Sequence, residues 1–231
     1  MGIIAGLIVR NEANRYLEQV LKQISAWADD IVVVDDCSID NTIEICRAFT
    51  KRVYRMDKPT FVENETTIRK YLYDKLSETK DEWHAIIDAD EMLENKFAVE
   101  IKNIISNPKI HWIGLKFFDF WLQKGNDFFY RADGFWSPKN RWGKRLYRYH
   151  PEYNHMKWPD KKMASFCIPP YVFSLPGINT EFRLKHLGYL RDEDKKAKYM
   201  RYKSIDQGKY HNINHIESIL DKNPVLEKWA E

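Results

Sequence analysis

The sequence predicts an α/β protein with a mostly parallel sheet and helices on both of its faces, and three observations support this class. Continuous apolar runs at residues 3–9, 31–34 and 83–87 are typical of strands that are buried on both sides. The segments between these runs place apolar residues at helical spacing. The connections are short, so strand and helix alternate as they do in βαβ units.

The first half of the chain supplies these elements in order. The strand at 3–9 leads to Asn11, which is expected to cap the first helix. A short strand near 53–55 is expected between the second and third helices. The apolar positions that mark the three helices are Leu17, Val20, Leu21 and Ile24, then Ile43, Ile45 and Ala48, then Ile68, Leu72 and Leu76.

The second half has a different pattern. Residues 112–122, 143–150 and 182–190 look extended and rich in aromatic side chains, whereas 192–205 has the charged composition of a helix. The aromatic run at 117–136 has two interpretations, core packing or an apolar groove for a ligand. The change of pattern near residue 110 indicates a functional division inside one domain that spans residues 1–231.

Composition narrows the classes of function. Basic residues number 37 and acidic residues 34, so the small net charge of +3 gives no clear nucleic-acid signal. Cys37, Cys46 and Cys167 have no CxxC spacing, which argues against a disulfide framework and a structural zinc site. No apolar run approaches the ~18 residues that span a bilayer, and the first residues resemble a strand rather than a signal peptide. A cytoplasmic location is therefore expected.

Charged residues follow three of the predicted strands. Arg10 ends the first, Asp36 follows the second, and Asp88 and Asp90 follow the strand at 83–87. Ligands of open α/β sheets bind outside the carboxyl ends of the strands, so these side chains are expected to share one crevice. There, Arg10 would meet a phosphate and Asp36 a base or ribose. Carboxylates two residues apart in an extended stretch suit Mg²⁺ or Mn²⁺, although they could instead cap the next helix.

Four separated segments carry a family resemblance. "GLIVRNEANRYLEQVL", "DDIVVVDDCSIDNT", "NETTIRKY" and "WHAIIDADEML" occur in an order and spacing that resemble the nucleotide-sugar half of family 2 glycosyltransferases with the GT-A fold. The resemblance covers about residues 1–95. It implies a nucleotide-sugar-binding half at 1–110, and an acceptor half with the C-terminal helices at 111–231.

The resemblance also implies roles for particular residues. Asp36 matches the acid that contacts the base, and Arg69 matches a basic residue near the nucleotide. Asp88 matches the first acid of the family's DxD motif, near the ribose or the metal, and Asp90 matches the principal metal ligand. The backbone at Ile8 and Val9 would line the base and ribose.

The second half resembles the family more loosely. "LKHLGYLRDEDKKAKYMRY" is similar to an ending found in part of the family, in which His186 would be a third metal ligand or a diphosphate contact. A hydrogen-bonded core histidine is the other interpretation of His186. Lys195, Lys198 and Arg201 recur at helical spacing and could face the diphosphate, but a solvated helix face is the favoured interpretation.

The general base has no clean motif. The family places an acid after the metal motif, near the acceptor hydroxyl, and the first candidate here is Asp160 in "KWPDKKM". Glu152 and Asp119 are the next candidates in order of preference, and Asp119 could simply face solvent on its strand.

The resemblance implies a metal-dependent enzyme that uses Mn²⁺ or Mg²⁺. It would move a sugar from a nucleotide sugar, expected to be UDP-linked, to an acceptor hydroxyl with inversion. A glycan, a lipid-linked molecule, a peptide or a small molecule fits the acceptor equally. A nucleotidyltransferase is an alternative, but "RNEANRY" after the first strand lacks the glycines of its phosphate loop. A non-catalytic nucleotide-sugar-binding domain is the third possibility.

Overall fold

A computed structural model describes residues 1–160, 168–206 and 212–231 of the chain. Cys167 lies outside these ranges, and Cys37 and Cys46 are free thiols. The strands in the described ranges are β1 (Ile3–Val9), β2 (Asp30–Asp35), β3 (Arg52–Arg55), β4 (Trp83–Ile86), β5 (Glu91–Leu93), β6 (Trp112–Lys124), β7 (Asp127–Arg131), β8 (Trp142–Arg148), β9 (Ile178–His186) and β10 (Leu226–Lys228).

Six α-helices accompany these strands in the described part of the chain. They are α1 (Leu17–Ile24), α2 (Thr42–Arg47), α3 (Glu65–Ser77), α4 (Asn95–Ile105), α5 (Asp192–Ile205) and α6 (Ile213–Glu217). Within the same ranges, no helix combines the length and the apolar character that a membrane crossing requires.

One mixed sheet contains strands from both halves of the chain. Its order is β10, β7, β6, β8, β4, β1, β2 and β3, and β9 pairs with both β6 and β5. The first four strands in sequence are parallel to one another, as the βαβ pattern predicts. Strands β7, β8 and β10 join the sheet in antiparallel pairs. The predicted α/β class is therefore confirmed, with a parallel centre and an antiparallel extension.

Helices cover both faces of the sheet because β1 alternates its side chains between two cores. Ile3 and Leu7 pack in the core that contains α1 and α4, whereas Ile4 packs in the opposite core with α3. All three side chains are fully buried. Burial on both sides explains why β1 is an unbroken apolar run.

Gly6 sets how closely α3 approaches the sheet. A Cβ at this position would lie 2.8 Å from Leu76 and 3.2 Å from Leu72. Both leucines belong to α3 and are buried. The missing side chain therefore lets α3 pack directly on β1, which places the start of α3 next to the strand ends.

The structure corrects two expectations about local elements. Asn11 does not cap α1, which begins six residues later at Leu17; Asn11 instead has a φ of 53° and its side chain accepts a hydrogen bond from the amide of Ile39. Helix α4 was not expected. Its buried residues Phe97, Ile101 and Ile105 recur every four residues, which is a signal that the sequence contains.

The aromatic run at 117–136 contributes four buried side chains to the core, whereas Phe135 is half exposed; the four are Phe118, Phe120, Trp121 and Trp136. Trp121 and Trp136 are buried in a cluster with Tyr189, and the indole N–H of Trp136 donates to the hydroxyl of Ser218. Tyr130 reaches Glu227 with its hydroxyl. These polar partners satisfy the aromatic groups that burial would otherwise leave without hydrogen bonds.

A neutral histidine lies inside the sheet. His84 in β4 is fully buried, its Nδ1 lies 3.2 Å from the hydroxyl of Tyr147, and its ring stacks on Tyr149. Burial lowers the pKa of His84 from 6.5 to about 3. Because the unfolded chain binds a proton at this residue at higher pH than the folded chain does, acid favours unfolding.

We expect the free energy of unfolding to fall as the pH drops from 6.5 toward 3. At pH 5 the His84 contribution is about 2 kcal/mol, since one pKa unit corresponds to ~1.36 kcal/mol. Urea unfolding of His84→Gln should show a shallower acid dependence than the wild type over this window. The exposed His155 is the control. Equal pH slopes for His84→Gln, His155→Gln and wild type would contradict the assignment.

Candidate active site

A cavity of about 480 Å³ opens at the carboxyl ends of the parallel strands. Arg10 after β1, Asp36 after β2 and Asp88 after β4 all line it, as the sequence predicts for an open sheet. The predicted nucleotide and metal residues that line this cavity are Ile8, Val9, Arg10, Asp36, Arg69, Asp88, Asp90 and His186. The structure therefore brings together predicted site residues that lie up to 178 positions apart in the chain.

Asp36 holds the loop between β3 and α3. Its Oδ1 accepts from the amide of Thr60 at 2.6 Å, and its Oδ2 accepts from the amide of Phe61 at 3.2 Å. Arg10 lies 3.4 Å from the same Oδ2. Asp36 is fully buried, and its hydrogen bonds to the loop hold Phe61 at the cavity wall. Its contact with a base stays a prediction.

Three acids follow β4, and one arginine from the second half compensates two of them. Arg145 in β8 pairs with Glu91 and lies 3.4 Å from Asp88. Burial would raise the pKa of Asp88, but Arg145 and Arg69 outweigh it and lower that pKa. For Glu91, burial outweighs Arg145 and raises the pKa to about 7. No local pattern in the sequence singles out Arg145, because the acid with which it pairs lies 54 residues earlier in the chain.

Asp90 forms a compact group with His186 and Lys198. The Nζ of Lys198 lies 3.2 Å from Asp90 Oδ2 and 2.9 Å from His186 Nε2. His186 Nε2 and Asp90 Oδ2 are 3.5 Å apart. Burial would raise the pKa of Asp90, but the positive charge of Lys198 outweighs burial and holds that pKa well below its ordinary value.

The imidazole of His186 is oriented by Asp119. Its Nδ1 lies 2.6 Å from Asp119 Oδ1, and Asp119 is fully buried. The alternative that Asp119 faces solvent is therefore wrong. Because a lysine ammonium can only donate, the Nε2 that faces Lys198 accepts, and the ring proton points to Asp119. A carboxylate behind a histidine in this way is the usual arrangement for a metal-binding imidazole.

Gly188 makes room for this group. A Cβ on Gly188 would lie 2.3 Å from Asp90 Oδ2, 2.8 Å from His186 Nε2 and 2.1 Å from Lys198 Nζ. Its φ lies outside the left-handed region, so space rather than backbone freedom explains the glycine.

Helix α5 presents a charged face to the cavity, which corrects the interpretation of that face as solvated. Lys198 and Arg201 both line the cavity and are only partly exposed. Lys195 instead pairs with Asp192 and lies over the ring of Trp121. Among the described residues, Arg201 makes no ion pair with a carboxylate and contacts the hydroxyl of Tyr202 at 3.4 Å. Its guanidinium is thus available to an anion.

Glu12 is a cavity residue that the sequence analysis did not assign. Arg15 donates to its Oε1 at 2.8 Å and links it to Asp194 of α5 at 3.3 Å. Its Oε2 is buried without a hydrogen-bond partner among the described residues. Burial raises the pKa of Glu12 to about 7, although Arg15 opposes the shift.

The predicted bases Asp160 and Glu152 do not line this cavity. Asp160 lines a second cavity of about 560 Å³ and accepts from Asn64, the residue before α3, at 2.5 Å. Thr66 and Lys70 of α3 line that second cavity, whereas Glu65 and Arg69 line the first. Helix α3 therefore separates Asp160 from Asp90.

Glu152 also lies elsewhere, in an exposed position beside His150 Nδ1 at 3.0 Å. It follows β8 in a short 3₁₀ turn, Pro151–Tyr153. The structure thus unites the predicted nucleotide and metal residues but separates them from both predicted bases.

The donors of the cavity suit a divalent cation. Asp90 Oδ2 and His186 Nε2 are 3.5 Å apart and would offer an oxygen and a nitrogen donor to the same divalent cation. Asp88 adds a second carboxylate to the lining. In the described ranges no three His, Cys, Asp or Glu side chains converge closely enough to hold a metal by themselves. Oxygens of a ligand would therefore complete such a site.

Comparison with known proteins gives one match over most of the chain. The family model described as glycosyl transferase family 2 matches residues 6–174. A comparison with curated proteins finds no match.

Solved structures are similar over part of the chain. S. aureus TarS has 19% identity and a TM-score of 0.43, covering 52% of this chain and 22% of its own. Mannosyltransferase PcManGT from Pyrobaculum calidifontis has 18% identity and a TM-score of 0.39, and the match covers 49% of this chain and 34% of PcManGT. Glucosyl-3-phosphoglycerate synthase from Mycobacterium tuberculosis has 22% identity and a TM-score of 0.36, and the match covers 51% of this chain and 44% of the synthase. The chain spans less than half the length of each of these proteins.

We expect Arg145→Met to lower the free energy of unfolding at pH 8 by about 3–5 kcal/mol, because it leaves buried carboxylates without their cation. Urea unfolding measures the loss. Arg52→Met, which removes a half-exposed ion pair with Asp30, is the matched control and should cost less than ~1 kcal/mol. Adding Glu91→Gln to Arg145→Met should recover part of the stability. Strictly additive losses would contradict the pairing.

Proposed function

Because the chain belongs to glycosyl transferase family 2, we propose that it transfers a sugar from a nucleoside diphosphate donor to an acceptor hydroxyl with the help of a divalent cation. The observation that carries this proposal is the meeting of the Asp90–His186 pair with the cationic face of α5 in one cavity. A diphosphate needs cations on several sides, and this cavity supplies them next to a pair of metal donors.

The strand ends of the first half would bind the nucleoside. Ile8 and Val9 line the cavity at the end of β1, and Phe61 adds an aromatic ring to the wall. Arg69 pairs with Glu65 and lies 5.8 Å below the Phe61 ring, so it supports that wall. The UDP assignment rests on Asp36, as in the sequence analysis.

The diphosphate would lie toward α5. Arg201 makes no ion pair with a carboxylate in the described part of the chain, and Lys198 lies one helical turn before it. A guanidinium matches two phosphate oxygens at once, whereas an ammonium is a point charge. Asp90 and His186 would hold Mn²⁺ or Mg²⁺ on the same side. The bound cation supplies Lewis-acid stabilisation of the diphosphate as it leaves.

The general base that deprotonates the acceptor hydroxyl is sought among the acids that line the cavity. Glu91 is engaged through both oxygens, by Arg145 and by the amide of Asp88. Glu12 keeps a buried oxygen without a hydrogen-bond partner in the described ranges, and its pKa of about 7 is matched to proton abstraction near neutral pH. We assign proton removal from the acceptor hydroxyl to Glu12. Asp160 and Glu152 remain the predictions of the sequence.

A single displacement at the anomeric carbon, with inversion, follows from a base that activates the acceptor directly. The acceptor can be a glycan, a lipid-linked molecule, a peptide or a small molecule. A cytoplasmic location stays a prediction of the sequence.

We expect UDP to bind in the presence of Mn²⁺ and to lose affinity in excess EDTA, as measured by calorimetry. Asp90→Asn should reduce UDP affinity in Mn²⁺ to its value in EDTA, because the amide is a poor metal ligand of the same shape. An unchanged melting temperature of the variant shows that the fold is intact. Equal UDP affinity with and without EDTA would refute a role of the metal in nucleotide binding. Tighter binding of GDP than of UDP would refute uracil as the nucleobase of the donor.

We expect Glu12→Gln to lower the rate of sugar transfer by about 10²–10⁴-fold, the usual contribution of a general base. The carboxylate must be ionised to act, so the wild-type rate should rise as the pH increases through about 7, and Glu12→Gln should lose this rise. Slow hydrolysis of UDP-sugars provides an assay before the acceptor is identified. Asp160→Asn and Glu152→Gln serve as comparison variants. A larger loss in either of them than in Glu12→Gln would return the role to that residue.

A further inference from the structure

Lys198 lies where the divalent cation of the proposed function would bind. Its Nζ is 2.9 Å from His186 Nε2 and 3.2 Å from Asp90 Oδ2, the two atoms that would hold the metal. It also lies over the ring of Tyr189, 4.6 Å from the centroid. The ammonium thus makes its close contacts with the same donor pair as the metal would.

The two cations exclude each other. Asp90 Oδ2 and His186 Nε2 would both serve a divalent ion, and both lie within 3.2 Å of the Lys198 ammonium, so the two positive charges would repel each other there. His186 Nε2 has one lone pair, which serves either the Lys198 N–H or a metal. A Cβ on Gly188 would clash with all three groups, so the pair of donors and the ammonium are closely packed on the Gly188 side.

We propose that Lys198 is a built-in competitor of the metal, and that a nucleoside diphosphate relieves the competition. The proposal rests on the proposed function. Without nucleotide, Lys198 neutralises Asp90 and keeps the affinity for a free divalent ion low. A diphosphate beside Arg201 gives the Lys198 ammonium another anionic partner, so Lys198 leaves Asp90 and the metal takes its place.

This exchange makes the binding of metal and nucleotide cooperative. Each ligand favours the arrangement in which Lys198 has left Asp90, so each must raise the affinity for the other by the same factor. The consequence is an enzyme that does not hold the divalent cation tightly until its donor has arrived.

The test uses the full chain and measures Mn²⁺ binding directly by electron paramagnetic resonance, without a turnover assay. In the absence of nucleotide, Lys198→Met should bind Mn²⁺ about tenfold more tightly than wild type, because a unit charge next to the site has been removed. UDP should tighten Mn²⁺ binding in both proteins, since its oxygens would complete the site, but by a smaller factor in Lys198→Met than in wild type. Lys198→Gln, which keeps a donor but loses the charge, should behave like Lys198→Met.

Lys195→Met is the matched control. Lys195 lies on the same helix with similar side-chain exposure, 14% against 16%, but its ion pair is with Asp192. It should leave both Mn²⁺ affinity and the effect of UDP unchanged. Asp90→Asn in the Lys198→Met background should abolish the gain, which assigns the added Mn²⁺ to this site.

The outcomes separate the inference from the function on which it rests. If UDP binding needs Mn²⁺ but Lys198→Met and Lys198→Gln bind Mn²⁺ alone no better than wild type, the competition is refuted and the metal-dependent function stands. If the variants bind no Mn²⁺ and UDP affinity is insensitive to EDTA, both are refuted. A gain of Mn²⁺ affinity that survives Asp90→Asn also overturns the inference.

Discussion

The compensation of buried acids at the end of β4 is the constraint on which the rest of the site depends. Asp90 and Glu91 are almost fully buried, and Asp88 lines the same cavity. Carboxylates in such a place are unfavourable unless cations accompany them. The cations come from the second half of the chain, Arg145 from β8 and Lys198 from α5. The acidic segment therefore requires the antiparallel extension of the sheet to be in place.

The register of the paired strands fixes the positions of the side chains that face these acids. Strand β9 pairs His186 with Glu91 of β5 on one side and with Asp119 of β6 on the other. A shift of one residue in β9 would turn His186 away, because side chains alternate between the faces of a sheet. The register of β9 thus fixes the imidazole that faces Asp90, and Asp119 then fixes its tautomer. Precision in the site follows from backbone hydrogen bonds rather than from side-chain contacts alone.

The side of the cavity proposed to bind the nucleotide is built differently, from loops that are joined to one another by hydrogen bonds. The amide of Asn11 donates to Ser38, and the amide of Ile39 donates to the side chain of Asn11, so the loops after β1 and β2 are joined at 2.9 Å in both contacts. Asp36 ties in the loop that carries Phe61. These joined loops place the wall of the proposed nucleoside site, and the buried charges place the side chains proposed to hold the metal. The proposed chemistry occurs where the two meet, beneath the cationic face of α5.

The sequence by itself determined the α/β class, the strands of the first half and the acids at their ends, because these signals are local. An apolar run marks a buried strand, and the residues that follow it lie at the sheet edge. Only the tertiary structure decided which charges meet. Lys198 lies 108 residues from Asp90 and Arg145 lies 54 from Glu91, and no local pattern relates such positions. For the same reason Asp160, plausible by composition, lies across α3 from the cavity, whereas Glu12, to which the family segment around it gave no role, lies inside it.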